Sequence, residues 1–180
     1  MKPYEIIAQV IGIFAMIFNI LSYQQKTSKG AISFQLCGGI LFAVNFFMLG
    51  ATVGGIMNVI AAIRAIIFIN KEKSHADHIG WLLGFIAVYI LTYVLTFTLF
   101  GKTFTLFNAI VEILPIIGMT ALTIGFRMSS ATAIRAFGLV SSPCWLVYNI
   151  INFSIGAIIC EAISLVSIAI DFIRHDRNHS

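Results

Sequence analysis

The sequence predicts an all-α membrane protein of seven transmembrane helices, built as two parallel three-helix bundles joined by one linking helix. Three observations predict it. Of 180 residues, 59% are hydrophobic and only 10% are charged, against roughly 25% charged in an ordinary soluble domain. The apolar residues fall into runs long enough to cross lipid, and the basic residues collect in alternate loops. One soluble core of this size leaves too much surface to hide so many Ile, Leu and Phe. The mean hydropathy of +0.99 agrees. Disorder, a secreted disulfide scaffold and a soluble enzyme are excluded.

A spanning helix needs about 20 mostly apolar residues, because each residue rises about 1.5 Å across a core of about 30 Å. The first span fits residues 5–24. It ends in Ser22-Tyr23-Gln24-Gln25, without the small-x-small pattern of a cleaved leader, and reads as a retained helix. The second span fits 31–50 and the third 53–70. Unbroken, 31–70 would be about 60 Å of helix, so the glycines at 50, 54 and 55 mark a fold-back. A polar loop runs from Asn70 to His78. The fourth span covers 79–100, and Gly101-Lys102-Thr103 turns the chain. The fifth covers 104–126 with Pro115 inside it. The sixth and seventh cover 132–151 and 153–173, divided at Asn152 to Ser154.

Seven spans place Lys26, Lys29, Lys71, Lys73, Arg127, Arg135, Arg174 and Arg177 on one side, and Lys2 and Lys102 on the other. Cytoplasmic loops carry the excess of Lys and Arg. The expected N-terminus is therefore outside and the C-terminus cytoplasmic. The net charge of +4 is accounted for by this asymmetry, and no nucleic-acid partner is implied. Tyr23 and Trp81 fall near the inner interface and Tyr4 near the outer one, where amphipathic rings prefer to lie.

The order of helix, basic loop, helix, tight uncharged turn and helix occurs at 5–70 and again at 107–173, displaced by 102 positions. At that displacement Ser28 meets Ser130, Ala31 meets Ala133 and Gly54 meets Gly156. Two such triplets lie parallel only if an odd number of spans joins them. The expected divisions are residues 1–74, a linker helix at 75–103, and 104–180. Parallel repeats of this kind are a known transporter plan, with the substrate path at the repeat interface.

This plan resembles the sugar transporters of the SWEET/MtN3 superfamily and, more broadly, the PQ-loop proteins. Lys26-Thr27-Ser28-Lys29-Gly30-Ala31-Ile32-Ser33 is similar to the loop after their Pro-Gln pair, although the pair itself is missing here. A closer resemblance covers most of the chain. Ala62-Ile63-Arg64, Ile113-Leu114-Pro115-Ile116-Ile117-Gly118, Cys144-Trp145-Leu146-Val147-Tyr148-Asn149, and Ser154-Ile155-Gly156 followed by Glu161 look like the YgjV family of bacterial inner-membrane proteins. That resemblance implies an inner-membrane location and no settled activity.

Ionisable groups inside lipid are costly and are functional candidates by default. Arg64, Glu112 and Glu161 qualify. By helix rise, each carboxylate lies about 12 Å and Arg64 about 17 Å from the outer end of its helix. The expectation is one charge network: one carboxylate neutralises Arg64, and the other, unpaired in an apolar medium that favours the protonated form, couples proton movement to transport. The alternative is a structural ion pair. Asn58 stands within one position of the repeat partner of Glu161, and the sugar-transporter resemblance makes the two opposing walls of a substrate pocket. Asn45 and Asn149 are further pocket candidates, or polar ties between helices. Trp145 could stack on a ring-shaped solute or simply pack. Pro115 is a hinge or a fixed kink. Small residues at Gly38, Gly39, Gly54, Gly55, Ala61 and Ala62 allow close packing.

Cys37, Cys144 and Cys160 show no ligand spacing. His75, His78, His175 and His179 fall on the inner side and are read as ordinary polar-segment residues, so no metal and no cofactor are expected. Nucleotide-loop and His-Glu-x-x-His motifs are missing, so no enzyme is expected. The expected function is alternating-access movement of a small polar solute, sugar-like or another metabolite, between the bundles, with the lipid bilayer as the other partner. Oligomeric state is left open. The alternative is a non-transporting membrane scaffold. A polar cavity at mid-depth between the first, third, fifth and seventh spans favours transport. A dry interior with Arg64 salt-bridged favours the scaffold.

Overall fold

The computed structural model describes residues 3–177, with side chains as far as Ile168. Lys2 and His179 lie outside the described residues, as do the side chains of Arg174, His175 and Arg177. Every regular element among the described residues is helical: α1 Pro3–Tyr23, α2 Ser28–Met48, α3 Thr52–Ile69, α4 Lys71–Ser74, α5 Ile79–Thr98, α6 Leu106–Arg127, α7 Ala131–Ile151 and α8 Ile155–Arg177. Six of them, α1, α2, α3, α5, α6 and α7, are long and apolar enough to cross a membrane, and the described apolar part of α8 is Ile155–Ile168. The loop expected between residues 70 and 78 holds the single turn α4.

Side-chain caps fix where the helices begin. Thr27 accepts from the Gly30 amide, Ser130 from Ala133, Thr105 from Asn108 and His78 from Gly80. Each satisfies one first-turn amide that has no partner in its own helix. The tight turns use left-handed residues, Gly50 (φ 76°) after α2 and Phe153 (φ 53°) after α7.

The helices form a ring. The middle helix of each triplet packs against both its neighbours, α2 against α1 and α3, and α7 against α6 and α8. The triplets meet along two seams, α1 on α8 and α3 on α6, while α5 lies outside the ring against α3 and α6. The loops after α1, α3 and α6 gather at one end, around a vestibule lined by Lys29, Lys71, Asp77 and Ser129. Arg127 donates to the Asp77 carbonyl there at 2.9 Å, and Arg135 to the Tyr23 carbonyl at 3.0 Å. This is the basic end. At the opposite end Gln9 donates to the Phe153 carbonyl at 3.1 Å and accepts from the Ile155 amide. Large apolar residues face outward along the rods, among them Leu83, Leu91 and Val94 on α5 and Phe14 on α1.

The helix starts recur at an interval that differs from the expected 102. Pro3, Ser28 and Thr52 stand 103 positions before Leu106, Ala131 and Ile155. The caps Thr27 and Ser130, and the left-handed Gly50 and Phe153, keep the same interval.

The α1–α8 seam is the tightest. A Cβ on Gly156 would overlap the Gly12 backbone carbonyl. Gly84 on α5, by contrast, has nothing within 4 Å of its would-be Cβ. Gly156→Ala is therefore expected to force α1 from α8 and cost about 1–3 kcal/mol. Gly84→Ala should be neutral or stabilising by up to roughly 1 kcal/mol, through helix propensity. Thermal unfolding of the two purified variants in detergent checks the contrast.

Candidate functional site

A cavity of about 70 Å³ lies inside the ring, lined by all six of its helices. That volume holds a few water molecules. Its polar wall includes Asn19 and Tyr23 from α1, Gln35 from α2, Asn58 and Arg64 from α3, Ser141 and Asn149 from α7, and Glu161 from α8. Its apolar wall includes Phe42, Phe46, Met119, Leu122, Phe126 and Trp145.

Two aromatic residues stand at its ends. Phe126 lines both the cavity and the vestibule at the basic end, and packs edge-on against Phe68 at 5.9 Å between ring centroids. Tyr148 lines a second pocket at the opposite end and packs on the cavity residues Phe46 and Trp145, at 6.2 and 5.7 Å. Its hydroxyl accepts from the Gly54 amide at 3.0 Å. That amide is in the first turn of α3, where no helical partner exists. One bond thus ties the end of α7 to the start of α3.

Arg64 is 2% exposed. Its Nη1 donates to the Met119 carbonyl at 2.9 Å, the Thr123 hydroxyl at 3.0 Å and the Tyr89 hydroxyl at 3.4 Å. Its guanidinium carbon sits 4.6 Å from the Phe126 ring centroid. These partners are all neutral, and Nε has none. The expected carboxylate partner is missing among the described residues. Glu161 lines the same cavity and stands beside the Ser142 and Tyr23 hydroxyls.

Glu112 does not join them. It is buried at the opposite end of α6 and ion-paired with Lys102 from the preceding turn. Its second oxygen has no partner. The network expected from depth alone therefore divides into a lone Arg64, a separate Glu161 and a Lys102–Glu112 pair, because helix rotation turns Glu112 toward the α5–α6 turn.

Among the asparagines, Asn58 lines the cavity and donates to the Gly54 carbonyl at 2.9 Å. Asn149 lines it with an unpartnered Oδ1. Asn45 is not on the cavity wall. It is fully buried, donating to the Ala8 carbonyl at 2.7 Å and accepting from Ser154 at 2.8 Å, and so ties α1, α2 and the start of α8. Trp145 stacks within the Phe46–Tyr148 cluster at the cavity wall. Pro115 is buried within a continuous α6, and α7 carries a second internal proline, Pro143. Of the histidines, His78 caps α5. Cys37 is exposed, Cys144 half-buried and Cys160 buried, all with free thiols.

Sequence reasoning missed Asn19, Gln35, Tyr148 and the Tyr89–Thr123 pair. One usable signal was Tyr148 at the fold-back turn, level with the unpaired amides that begin α3. Tyr148→Phe is expected to strand the Gly54 amide and cost about 1–3 kcal/mol. Lys102→Met should leave Glu112 as an unpaired buried charge. Lys102 is one-third exposed, so the loss should fall at the low end of a buried-pair deletion, roughly 3 kcal/mol. Adding Glu112→Gln should restore most of it. Unfolding midpoints of the three variants test both statements.

The profile of the family Imp-YgjV, described as bacterial inner membrane protein, matches residues 6–179. The chain is 25% identical over 168 residues to the inner membrane protein YgjV of Escherichia coli (strain K12), covering 93% of this chain and 84% of that protein. No solved structure matches the chain. With its several membrane-length helices, the chain belongs to the YgjV family of bacterial inner membrane proteins, and it crosses that membrane repeatedly.

Proposed function

We propose that the protein moves a small polar solute across the inner membrane by alternating access, through the cavity between two parallel three-helix units. The observation that carries this reading is the pairing of wall residues across the cavity at the 103-position interval. Asn19 and Leu122, Tyr23 and Phe126, Phe42 and Trp145, Phe46 and Asn149, and Asn58 and Glu161 all line it. The seams support the same relation, since α1 on α8 and α3 on α6 are exchanged by it. A half-turn about an axis along the membrane normal relates such units, and the solute path lies at their interface.

In this reading α8 is the seventh span and α5 is the odd member that lets the triplets lie parallel. The basic end, holding Lys26, Lys29, Lys71, Lys73, Arg127 and Arg135, faces the cytoplasm. A polar cavity lined by α1, α3, α6 and α8, with Arg64 not bonded to a carboxylate among the described residues, favours transport over a scaffold. Phe126 closes the inner mouth and Tyr148 the outer one. Rocking one unit against the other opens one mouth at a time.

The test uses Asn58→Cys in a chain whose three native cysteines are replaced by Ser. A membrane-impermeant thiol reagent should label it both in right-side-out and in inverted vesicles. Labelling from neither side would favour the scaffold, and labelling from one side only would argue for a blind pocket.

A further inference from the structure

The cavity holds a permanent positive charge whose donors the protein only partly uses. Nη1 makes the hydrogen bonds of Arg64, to the Met119 carbonyl and the Thr123 and Tyr89 hydroxyls. Nε makes none. Gln35 Nε2, on the neighbouring helix α2, is also buried without a partner. Both residues line the cavity. Counted by helix rise, Arg64 lies about 8 Å and Gln35 about 10 Å from the basic ends of α3 and α2, so the two stand at one level.

Buried donors are nearly always paired, and lipid supplies no acceptors. Glu161 does not meet this need. It stands beside the Ser142 and Tyr23 hydroxyls, about 9 Å nearer the opposite end of the bundle by helix rise, and no ion pair joins it to Arg64 among the described residues. What the two donors lack is an acceptor that carries negative charge and comes from outside the chain. A neutral polyol would leave the guanidinium without a counter-charge in a desolvated site. A dianion would leave one negative charge unmatched, with Glu161 in the same cavity. The volume of about 70 Å³ admits only a few heavy atoms.

We infer that Arg64 and Gln35 form a binding site for one small monovalent anion, the size of formate, nitrate or chloride. The anion accepts from the Nε edge of Arg64 on α3 and from Gln35 Nε2 on α2. A planar fork of N–H donors suits an oxyanion. Occupancy of this site is separate from alternating access and stands or falls without it.

Equilibrium binding of radiolabelled formate to the full-length protein in detergent, in gluconate buffer, tests the site. Binding should saturate at one formate per chain. Unlabelled nitrate and chloride should compete, and sulfate and glycerol at the same concentration should not. Gln35→Leu removes one donor to a charged ligand and should weaken binding roughly tenfold. Gln35→Glu supplies a tethered carboxylate at the level of Arg64. It should abolish formate binding and raise the unfolding midpoint in gluconate buffer, a pair of effects that a merely structural Gln35 would not produce. If Gln35→Glu does not fold, Gln35→Leu alone decides. The site is overturned by absence of saturable binding, or by displacement with sulfate as readily as with nitrate. It is also overturned if Gln35→Leu binds formate as tightly as the unchanged chain. None of these outcomes alters the Asn58→Cys labelling, by which the transport reading is judged.

Discussion

The structure depends most on where a permanent positive charge is allowed to sit inside an apolar bundle. A guanidinium cannot shed its proton in a protein, so Arg64 must be solvated by the chain itself. The chain does this with dipoles. The Met119 carbonyl, the Thr123 and Tyr89 hydroxyls and the Phe126 ring surround it. These groups come from α5 and α6, so one side chain of α3 ties three helices together. That also explains how α5 is held. It sits outside the ring, and Tyr89 is the polar group through which it reaches the Arg64 cluster. Neutral partners stabilise the charge without cancelling it, and a cation left uncancelled beside a cavity remains available to an anionic group.

Composition and run length made the helices legible, since apolar length against bilayer thickness is a one-dimensional property. The fold-back turns were legible for the same reason: no helix of 40 residues fits the membrane. Contacts across the bundle were not. Glu112 and Arg64 could be set at similar depth by counting rise, but depth says nothing about rotation. Glu112 is turned toward the chain that precedes its own helix, where Lys102 stands within reach. Asn45 was open between a pocket wall and a tie between helices for the same reason. Its position in α2 allowed either, and its side chain faces α1 and the turn before α8, which makes it a tie. Asn58, Asn149, Trp145 and Glu161 do line one cavity, and for Asn58 and Glu161 the order of elements had suggested facing positions.

The interval of 102 against 103 shows what residue identity measures and what it does not. Ser28 matched Ser130 by letter, yet the structural partner of Ser130 is Thr27, since both begin helices by accepting an amide three residues on. A hydroxyl at a cap is exchangeable between Ser and Thr. The helix starts and caps share the interval of 103, and a one-residue slip follows from aligning letters instead. The correction has a consequence for the site, because it brings Asn58 directly onto Glu161.

The two seams between the triplets are equivalent in position and unlike in construction. At α1–α8, Gly12 and Gly156 put backbone against backbone, and Gln9, Asn45 and Ser154 add hydrogen bonds at the same end. Close backbone contact of this kind leaves little room for sliding. At α3–α6 the corresponding positions, Val53 and Pro115, are larger, and contact is made through the Arg64 cluster and the Phe68–Phe126 pair. Side-chain contacts of that sort can be exchanged for solute contacts without breaking helix packing. On the alternating-access reading proposed above, the glycine seam would be the pivot and the arginine seam the one that opens. Arg64 would then stand on the moving contact, beside the Phe126 ring that lines the cavity and the vestibule at the basic end.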